Sequence, residues 1–374
     1  MQALKLVPAI HYFDTVPEWN EVFPITESDL LVTNEWLYKP YIEPLGVKPA
    51  VIFQEKHGLG EPSDEMIDSI AKEANQYKYN RIIAFGGGTI LDICKVLALD
   101  LPDRVEDLFM GKAPPRKTKA LVAVPTTCGT GSEVTNIAIA ELKSLGIKKG
   151  IASEETFADI AVLVPETMTG LPYQVFSTSS VDALVHAVES FLSPKASPFT
   201  DVFGREAMNL IMQGYKAIAD CGEEARFKYM REFLTAANYA GIAFGNAGVG
   251  VVHALAYSIG GAFHVPHGEA NYQFFTSVLK LYAKKAPDGK ISRLTAFLAD
   301  IMGLGEAGTG AVYDHLDIFL GKLITKKPLR EYGMTEAQID EFAESTIANQ
   351  QRLLVNNYVP LDVEELRGIF AGLW

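Results

Sequence analysis

Four side chains able to give a ligand atom to a divalent cation fall at ordered spacings: Asp182, His186, His253 and His267. Asp182 and His186 stand four residues apart in SSVDALVHAVES; His253 lies in GVGVVHALAYSIGG and His267 in HVPHGEAN, fourteen residues later. One carboxylate and three imidazoles suit Fe(II) and also Zn(II), because both ions accept oxygen and nitrogen donors. On a helix over 180–192, Val181, Leu184, Val185, Val188 and Leu192 form one stripe, and Asp182, His186 and Glu189 share an adjacent face at i, i+4 and i+7. Asp182 and Glu189 are the only formal charges on that helix, so the face is expected to be buried and its polar groups to need partners. Taken singly, Asp182 could be a first-turn acid facing the helix dipole and His186 a core histidine. Glu189 is placed to orient a ligand through a hydrogen bond. Tyr257, one turn beyond His253, could donate to a ligand, touch substrate or fill the core. His264 and His267 flank Val265 and Pro266; both could bind metal, or His264 could line a cleft.

Upstream, RIIAFGGGTILDICK reads as strand, glycine turn and helix. Gly86, Gly87 and Gly88 let the backbone approach a pyrophosphate, and a helix opening at Thr89 offers free N–H groups and a positive dipole. The spacing is not GxGxxG, and a tight strand-to-helix turn is the alternative. After the next strand, VPTTCGTGSEVTN sets Thr126, Thr127 and Thr130 among glycines, a loop able to bond phosphate and ribose or to serve as a polar connection. Two such loops after neighbouring strands favour a nucleotide. Cys128 reads as a small filler rather than a reactive thiol. Asn34 ends LLVTN, where an acid would repel a 2′-phosphate; a neutral amide leaves NAD against NADP open.

The elements that must position these groups divide in two. In the first half, short apolar runs at 29–33, 50–54, 81–85 and 119–124 have strand length and end at turn signals. Helices are expected over 63–77, with Ser63 as N-cap, and over 90–99. That alternation implies a parallel sheet covered on both faces. From about Pro172 the pattern is nearly all helix, with segments at 180–192, 201–219, 223–240, 250–259, 271–283, 306–323 and 335–354. The expected division is 1–170, an α/β dinucleotide-binding domain, and 171–374, a helical metal and substrate domain, with ligands in the cleft between them.

Composition narrows the classes. The 374 residues are 48% hydrophobic, enough for two domains, and the net charge of −13 argues against nucleic acid and anionic membranes as partners. Three cysteines without a CxxC pair fit a reduced, cytoplasmic protein. The N-terminus carries no signal-peptide pattern. Residues 233–268 lack Asp, Glu, Lys and Arg, yet the six glycines between Gly241 and Gly261, with Asn238, Asn246 and His253, fit buried helices better than a membrane span.

These motifs resemble the iron-containing (group III) alcohol dehydrogenases along essentially the whole chain. GGGTILDICK is similar to their GGGSxxDxxK turn and PTTCGTGSE to their PTTxGTGSE loop; DALVHAVE, VVHAL and PHGEAN resemble their metal-ligand segments, in order. TNEWLYKPY, FQEKHGLGEPSDEMI, KKGIAS, NYAGIAFGNAGVG, KPLREYGM and QQRLLVNNY resemble the members acting on 4-hydroxybutyrate. The resemblance implies a Rossmann-like parallel-sheet domain and an all-helical domain, an architecture shared with dehydroquinate synthase. It implies NAD and Fe(II), with Zn(II) possible, and reversible hydride exchange between 4-hydroxybutyrate and succinate semialdehyde. It carries metal ligation to Asp182, His186, His253 and His267. It gives pyrophosphate contacts to Gly86, Gly87, Gly88 and Thr89 with Asp92 nearby, nucleotide contacts to Thr126, Thr127 and Thr130, and ribose contact to Lys149. The chain departs from the family at Tyr257, where many members have histidine, and at Asn34, where many have aspartate. A carboxylated substrate needs a cation, and Arg330 and Arg352 are the candidates. Another short-chain alcohol or diol, a lyase of the dehydroquinate synthase type and a nucleotide sensor are the competing readings. A homo-oligomer, a dimer first, is expected.

Overall fold

The computed structural model describes residues 2–305 and 308–374. By its internal packing the chain forms two compact units, Leu6–Leu171 and Pro172–Trp374, the second joined by Met1–Lys5. The N-terminal residues belong there because Asn246 bonds both backbone groups of Lys5, and Ser197 Oγ donates to Ala3 O at 2.7 Å.

In the first unit, strands β1 (Ala9–Tyr12), β2 (Asp29–Thr33), β3 (Ala50–Phe53), β4 (Arg81–Gly86), β5 (Ala120–Pro125) and β8 (Ile160–Leu163) form one sheet in the order β1-β8-β5-β4-β2-β3. Every pair in it is parallel. Strands β6 (Ile137–Leu142) and β7 (Ile147–Ala152) pair separately as an antiparallel hairpin. The four apolar runs of the sequence are β2 to β5. β1, β8 and the hairpin were not anticipated: β1 and β8 are only four residues long, and β7 carries two lysines in its middle.

The central strands are buried on both sides because their residues alternate between two cores. Leu30, Val32, Ile82, Ala84, Leu121 and Ala123 face one; Leu31, Ile83, Phe85, Val122 and Val124 face the other. Helices α1 (Val16–Val22), α2 (Asp64–Ala74) and α3 (Gly88–Leu97) belong to this unit. Ser63 caps α2 as expected, accepting from the Met66 N–H at 3.2 Å. α3 starts earlier than 90 because the glycine turn itself supplies its first residue.

The second unit contains no strand among the described residues. Its long helices are α4 (Tyr173–Leu192), α5 (Pro198–Cys221), α6 (Met230–Ala247), α7 (Val251–Phe263), α8 (His267–Lys285), α9 (Lys290–Met302), α10 (Thr309–Gly321), α11 (Gln338–Asn349) and α12 (Val363–Leu373). The helix expected over 223–240 is corrected: Glu223–Tyr229 is a 3₁₀ segment, and α6 runs on until Gly248 adopts φ +77°. The segment expected over 335–354 breaks at Gln350. The helix expected from 306 begins with two residues outside the described set. α9 and α12 were not anticipated. No single helix among the described residues is long and apolar enough to cross a membrane. The uncharged stretch runs through α6 and α7, which bury Phe233, Leu234, Ala240, Val251, Val252, Leu255 and Ile259 as core.

Candidate metal centre and nucleotide loops

The i, i+4 spacing on α4 puts Asp182 and His186 on one buried face, each under a tenth exposed. α7 contributes His253, and His267 opens α8. One ligand atom from each of the four lies within 4.8 Å of the others. His186 Nδ1 is 3.9 Å from Asp182 Oδ2; His253 Nε2 and His267 Nε2 are each 3.8 Å from Asp182 Oδ1. These separations are too long for hydrogen bonds and leave room for an ion among the donors. His253 Nε2 is buried without a hydrogen-bond partner, the state of a nitrogen whose lone pair serves a cation. Burial alone would raise the Asp182 carboxyl. The imidazoles of His186, His267 and His253, together with the Asn271 amide, outweigh it and hold the group below its ordinary range. The residues present therefore fit a divalent cation.

Four further features hold these donors. Glu189 accepts from His253 Nδ1 at 2.6 Å and, through its other oxygen, from the Val252 N–H at 2.7 Å, the orienting role the sequence suggested. Asn271, fully buried, donates to Asp182 Oδ1 at 2.7 Å; its place in PHGEAN is its only mark in the sequence. Gly268 allows α8 to meet α4, since a Cβ there would lie 2.0 Å from the Thr178 carbonyl oxygen. Asn356 of the VNN turn donates to Val249 O at 2.9 Å and braces the loop before His253.

The open alternatives resolve differently. His264 is exposed and left-handed at φ +55°, and it does not join the four. Tyr257 is half-buried, with its ring 6.1 Å from that of His267. Arg352 donates to the Tyr257 hydroxyl at 3.3 Å and lies 5.7 Å from its ring centroid. Arg330 is turned elsewhere, donating to Trp374 O at 2.7 Å.

In the other unit, Gly87 caps α3 without a side-chain hydrogen bond, and no hydrogen bond among the described residues takes the N–H of Gly88 or Thr89, which suits an anion. A Cβ on Gly88 would lie 2.6 Å from Thr130 Cγ2, and one on Gly87 3.3 Å from Thr127 Cγ2. The glycine turn and threonine loop are thus pressed together, which only glycine allows at Gly88. Thr126 is buried, its N–H donating to Gly86 O at 3.0 Å. Thr89 Oγ1 donates to Gly60 O at 3.1 Å. The uncapped turn and paired loops fit a dinucleotide's phosphates.

Asp92 is engaged differently from the expectation that placed it beside the pyrophosphate. Its oxygens accept from Ser132 Oγ at 2.6 Å and Ile139 N at 3.0 Å. Lys95, wholly buried, donates to Ser132 Oγ, Thr135 Oγ1 and Ile137 O, and lies 3.7 Å from Asp92. Burial pushes the Asp92 carboxyl up and the Lys95 ammonium down, against their mutual attraction. The D and K of this motif therefore fasten the threonine loop to α3. Lys149, on β7, has its ammonium 3.4 Å from Met110 Sδ. Cys128 is completely buried, as a filler would be.

The family description "Iron-containing alcohol dehydrogenase" matches residues 14–165, and "Fe-containing alcohol dehydrogenase family, C-terminal" matches 176–374. The chain is 53% identical over 374 residues to a 4-hydroxybutyrate dehydrogenase of Clostridium kluyveri, covering 100% of each. It is 35% identical over 307 residues to a sulfoacetaldehyde reductase of Bilophila wadsworthia, covering 79% of this chain and 77% of that one. In fold it is similar to a sulfoacetaldehyde reductase from Bifidobacterium kashiwanohense solved with NAD+, at TM-score 0.83 and 21% identity over 100% of this chain and 98% of that one.

Proposed function

Because the chain belongs to the iron-containing alcohol dehydrogenase family, we propose that it interconverts 4-hydroxybutyrate and succinate semialdehyde, exchanging hydride with NAD(H). The observation that carries this reading is the convergence of Asp182, His186, His253 and His267 in a chain so similar, end to end, to a 4-hydroxybutyrate dehydrogenase. Bound there, Fe(II), or Zn(II) in its place, would supply a Lewis acid for the substrate oxygen, and NAD(H) would supply the hydride acceptor or donor.

The chain's own residues do the rest. Asp182 offsets cation charge, Glu189 keeps the Nε2 lone pair of His253 available, and Asn271 fixes the Asp182 carboxylate. The free N–H groups at Gly88 and Thr89 bind pyrophosphate, with Thr127 and Thr130 alongside and Lys149 at a ribose. We assign residues 1–170 to the dinucleotide and 171–374 to metal and substrate.

The substrate carboxylate goes to Arg352. Its guanidinium is one aromatic ring removed from His267, a span suited to a four-carbon chain with oxygen at one end and carboxylate at the other. Tyr257 stands between them and steadies the guanidinium. Arg330 has its fork directed to Trp374.

For assembly we propose a homo-oligomer, a dimer first, in the cytoplasm. β1 is the edge strand of the sheet beside β8, and Val7 and Ile10 are exposed there. Light scattering that returns a monomer would overturn this.

The deciding experiment is NADH oxidation by anaerobic, Fe(II)-reconstituted protein with succinate semialdehyde beside butyraldehyde. Strong preference for the acid is expected. Equal or faster turnover of butyraldehyde would shift the substrate to uncharged alcohols or diols, and turnover of neither would favour a lyase.

A further inference from the structure

The residue that reads the adenosine ribose was left open by Asn34, which is neutral where a charge would select the cofactor. β2 and β3 are parallel, with Thr33 opposite Phe53, so Asn34 and Gln54 emerge side by side. Val32 of β2 is opposite Ala84 of β4, which brings Asn34 level with Gly86. In parallel sheets this carboxyl edge, next to the glycine turn, receives the dinucleotide.

A carboxylate is present there, supplied from the 3₁₀ turn Gln54–Lys56 that follows β3. The Asn34 amide donates to Gln54 Oε1 at 3.1 Å and to Glu55 Oε2 at 2.9 Å. Glu55 Oε1 accepts from the Glu35 N–H at 2.8 Å. The Glu55 carboxylate is thus fastened to the end of β2 by two N–H donors, one on each oxygen. An ionised carboxylate offers about four acceptor sites, so two stay open.

The other charges nearby are accounted for. Glu35 is paired with Lys39 at 3.0 Å, and Lys56 holds its ammonium 4.8 Å over the Phe53 ring. The segment after Glu55 leads back to the phosphate turn. Gln54 Nε2 donates to Gly58 O at 2.8 Å, and Gly60 O accepts from Thr89 in the first turn of α3.

We propose that Glu55 is the specificity-determining residue for the cofactor. Its carboxylate accepts from the 2′-hydroxyl of the adenosine ribose and repels a 2′-phosphate, making the protein selective for NAD(H) over NADP(H). Asn34 is a positioning residue that holds this charge in place. The inference rests on the dehydrogenase reading above.

Binding, not turnover, is the test. NADH and NADPH are titrated separately into wild-type protein and E55Q, each with circular dichroism. Wild type should bind NADH at least about tenfold to a hundredfold more tightly than NADPH, the scale of a charge-assisted hydrogen bond. E55Q should lose most of that ratio, through weaker NADH binding and stronger NADPH binding. An unchanged ratio in folded E55Q would overturn the assignment while leaving the dehydrogenase reading intact. If wild type binds neither nucleotide, the dehydrogenase reading itself fails and this inference with it. If E55Q does not fold, wild type decides: AMP should displace NADH where adenosine 2′,5′-bisphosphate does not. Equal displacement by both would exclude a repelling carboxylate at the ribose.

Discussion

Glu189 Oε2 lies 2.6 Å from His253 Nδ1, both groups buried in the helical unit. A carboxylate only accepts, so the proton sits on Nδ1 and the Nε2 lone pair points toward Asp182. The same carboxylate takes the Val252 N–H, so one side chain sets both the tautomer of the ligand and the start of its helix. Glu189→Gln keeps the size and can still accept, but removes the charge that makes the imidazole a better donor. Iron affinity should fall by about 10–100-fold, measured by competition with a chromophoric chelator. Unchanged affinity would reduce Glu189 to a structural acid.

His267 and His264 separate a ligand from its neighbour. His267→Ala removes one of four donors and should leave the dialysed protein without stoichiometric metal and without turnover, while its helices persist by circular dichroism. His264→Gly should retain metal fully and raise the melting temperature slightly, because glycine adopts φ +55° without strain. Metal analysis of both proteins is enough. Metal loss in the His264 variant would place that side chain among the ligands.

Gly268 tests whether the site depends on a close backbone approach. A methyl group there meets the Thr178 carbonyl oxygen at 2.0 Å, and backbone on both sides must yield. Gly268→Ala should cost about 1–3 kcal/mol in urea unfolding, as overpacking does, and weaken iron retention by displacing His267. Wild-type stability together with wild-type affinity would show that α8 can slide without consequence.

The buried Lys95 gives the corresponding test for the nucleotide loops. Lys95→Met leaves Asp92 without its cation and Ile137 O without its donor. Stability should drop by about 3 kcal/mol, the scale for breaking a buried pair. NADH affinity should fall with it, because the threonine loop loses the donation of Lys95 to Ser132 and Thr135 and is left tied to α3 through Asp92. Loss of stability alone would confine Lys95 to folding.

How much of this was legible depends on whether a group's partners are local. Asp182, His186 and Glu189 could be read together because a helix repeats its faces, and His253 because it interrupts an uncharged stretch. The central strands were legible as apolar runs buried on both sides. Asn271 was not, because its amide reaches Asp182 only where Gly268 lets two distant helices touch. Asp92 stands in the sequence next to the glycine turn, while its partners Ser132 and Ile139 come from later loops and strands. The β6–β7 hairpin is not legible because the paired lysines of β7 look like a polar connection.

Arg352 carries the last prediction, that of substrate charge. Its guanidinium bonds the Tyr257 hydroxyl and sits over that ring, so it is held rather than free to swing. A held fork clamps a carboxylate at little entropic cost. Arg352→Ala should raise KM for succinate semialdehyde by about 10–100-fold, the loss of a charge-assisted bond, and leave KM for butyraldehyde unchanged. Arg352→Lys should recover only part, since an ammonium cannot bind both oxygens in plane. Tyr257→Phe should raise KM less than Arg352→Ala, because it loosens the guanidinium without removing it. Arg330→Ala should leave both substrates unaffected. Parallel kinetics with the two aldehydes read all four variants. A rise in both constants for Arg352→Ala would mean general damage to the site, and no rise for the acid would send the search to another cation.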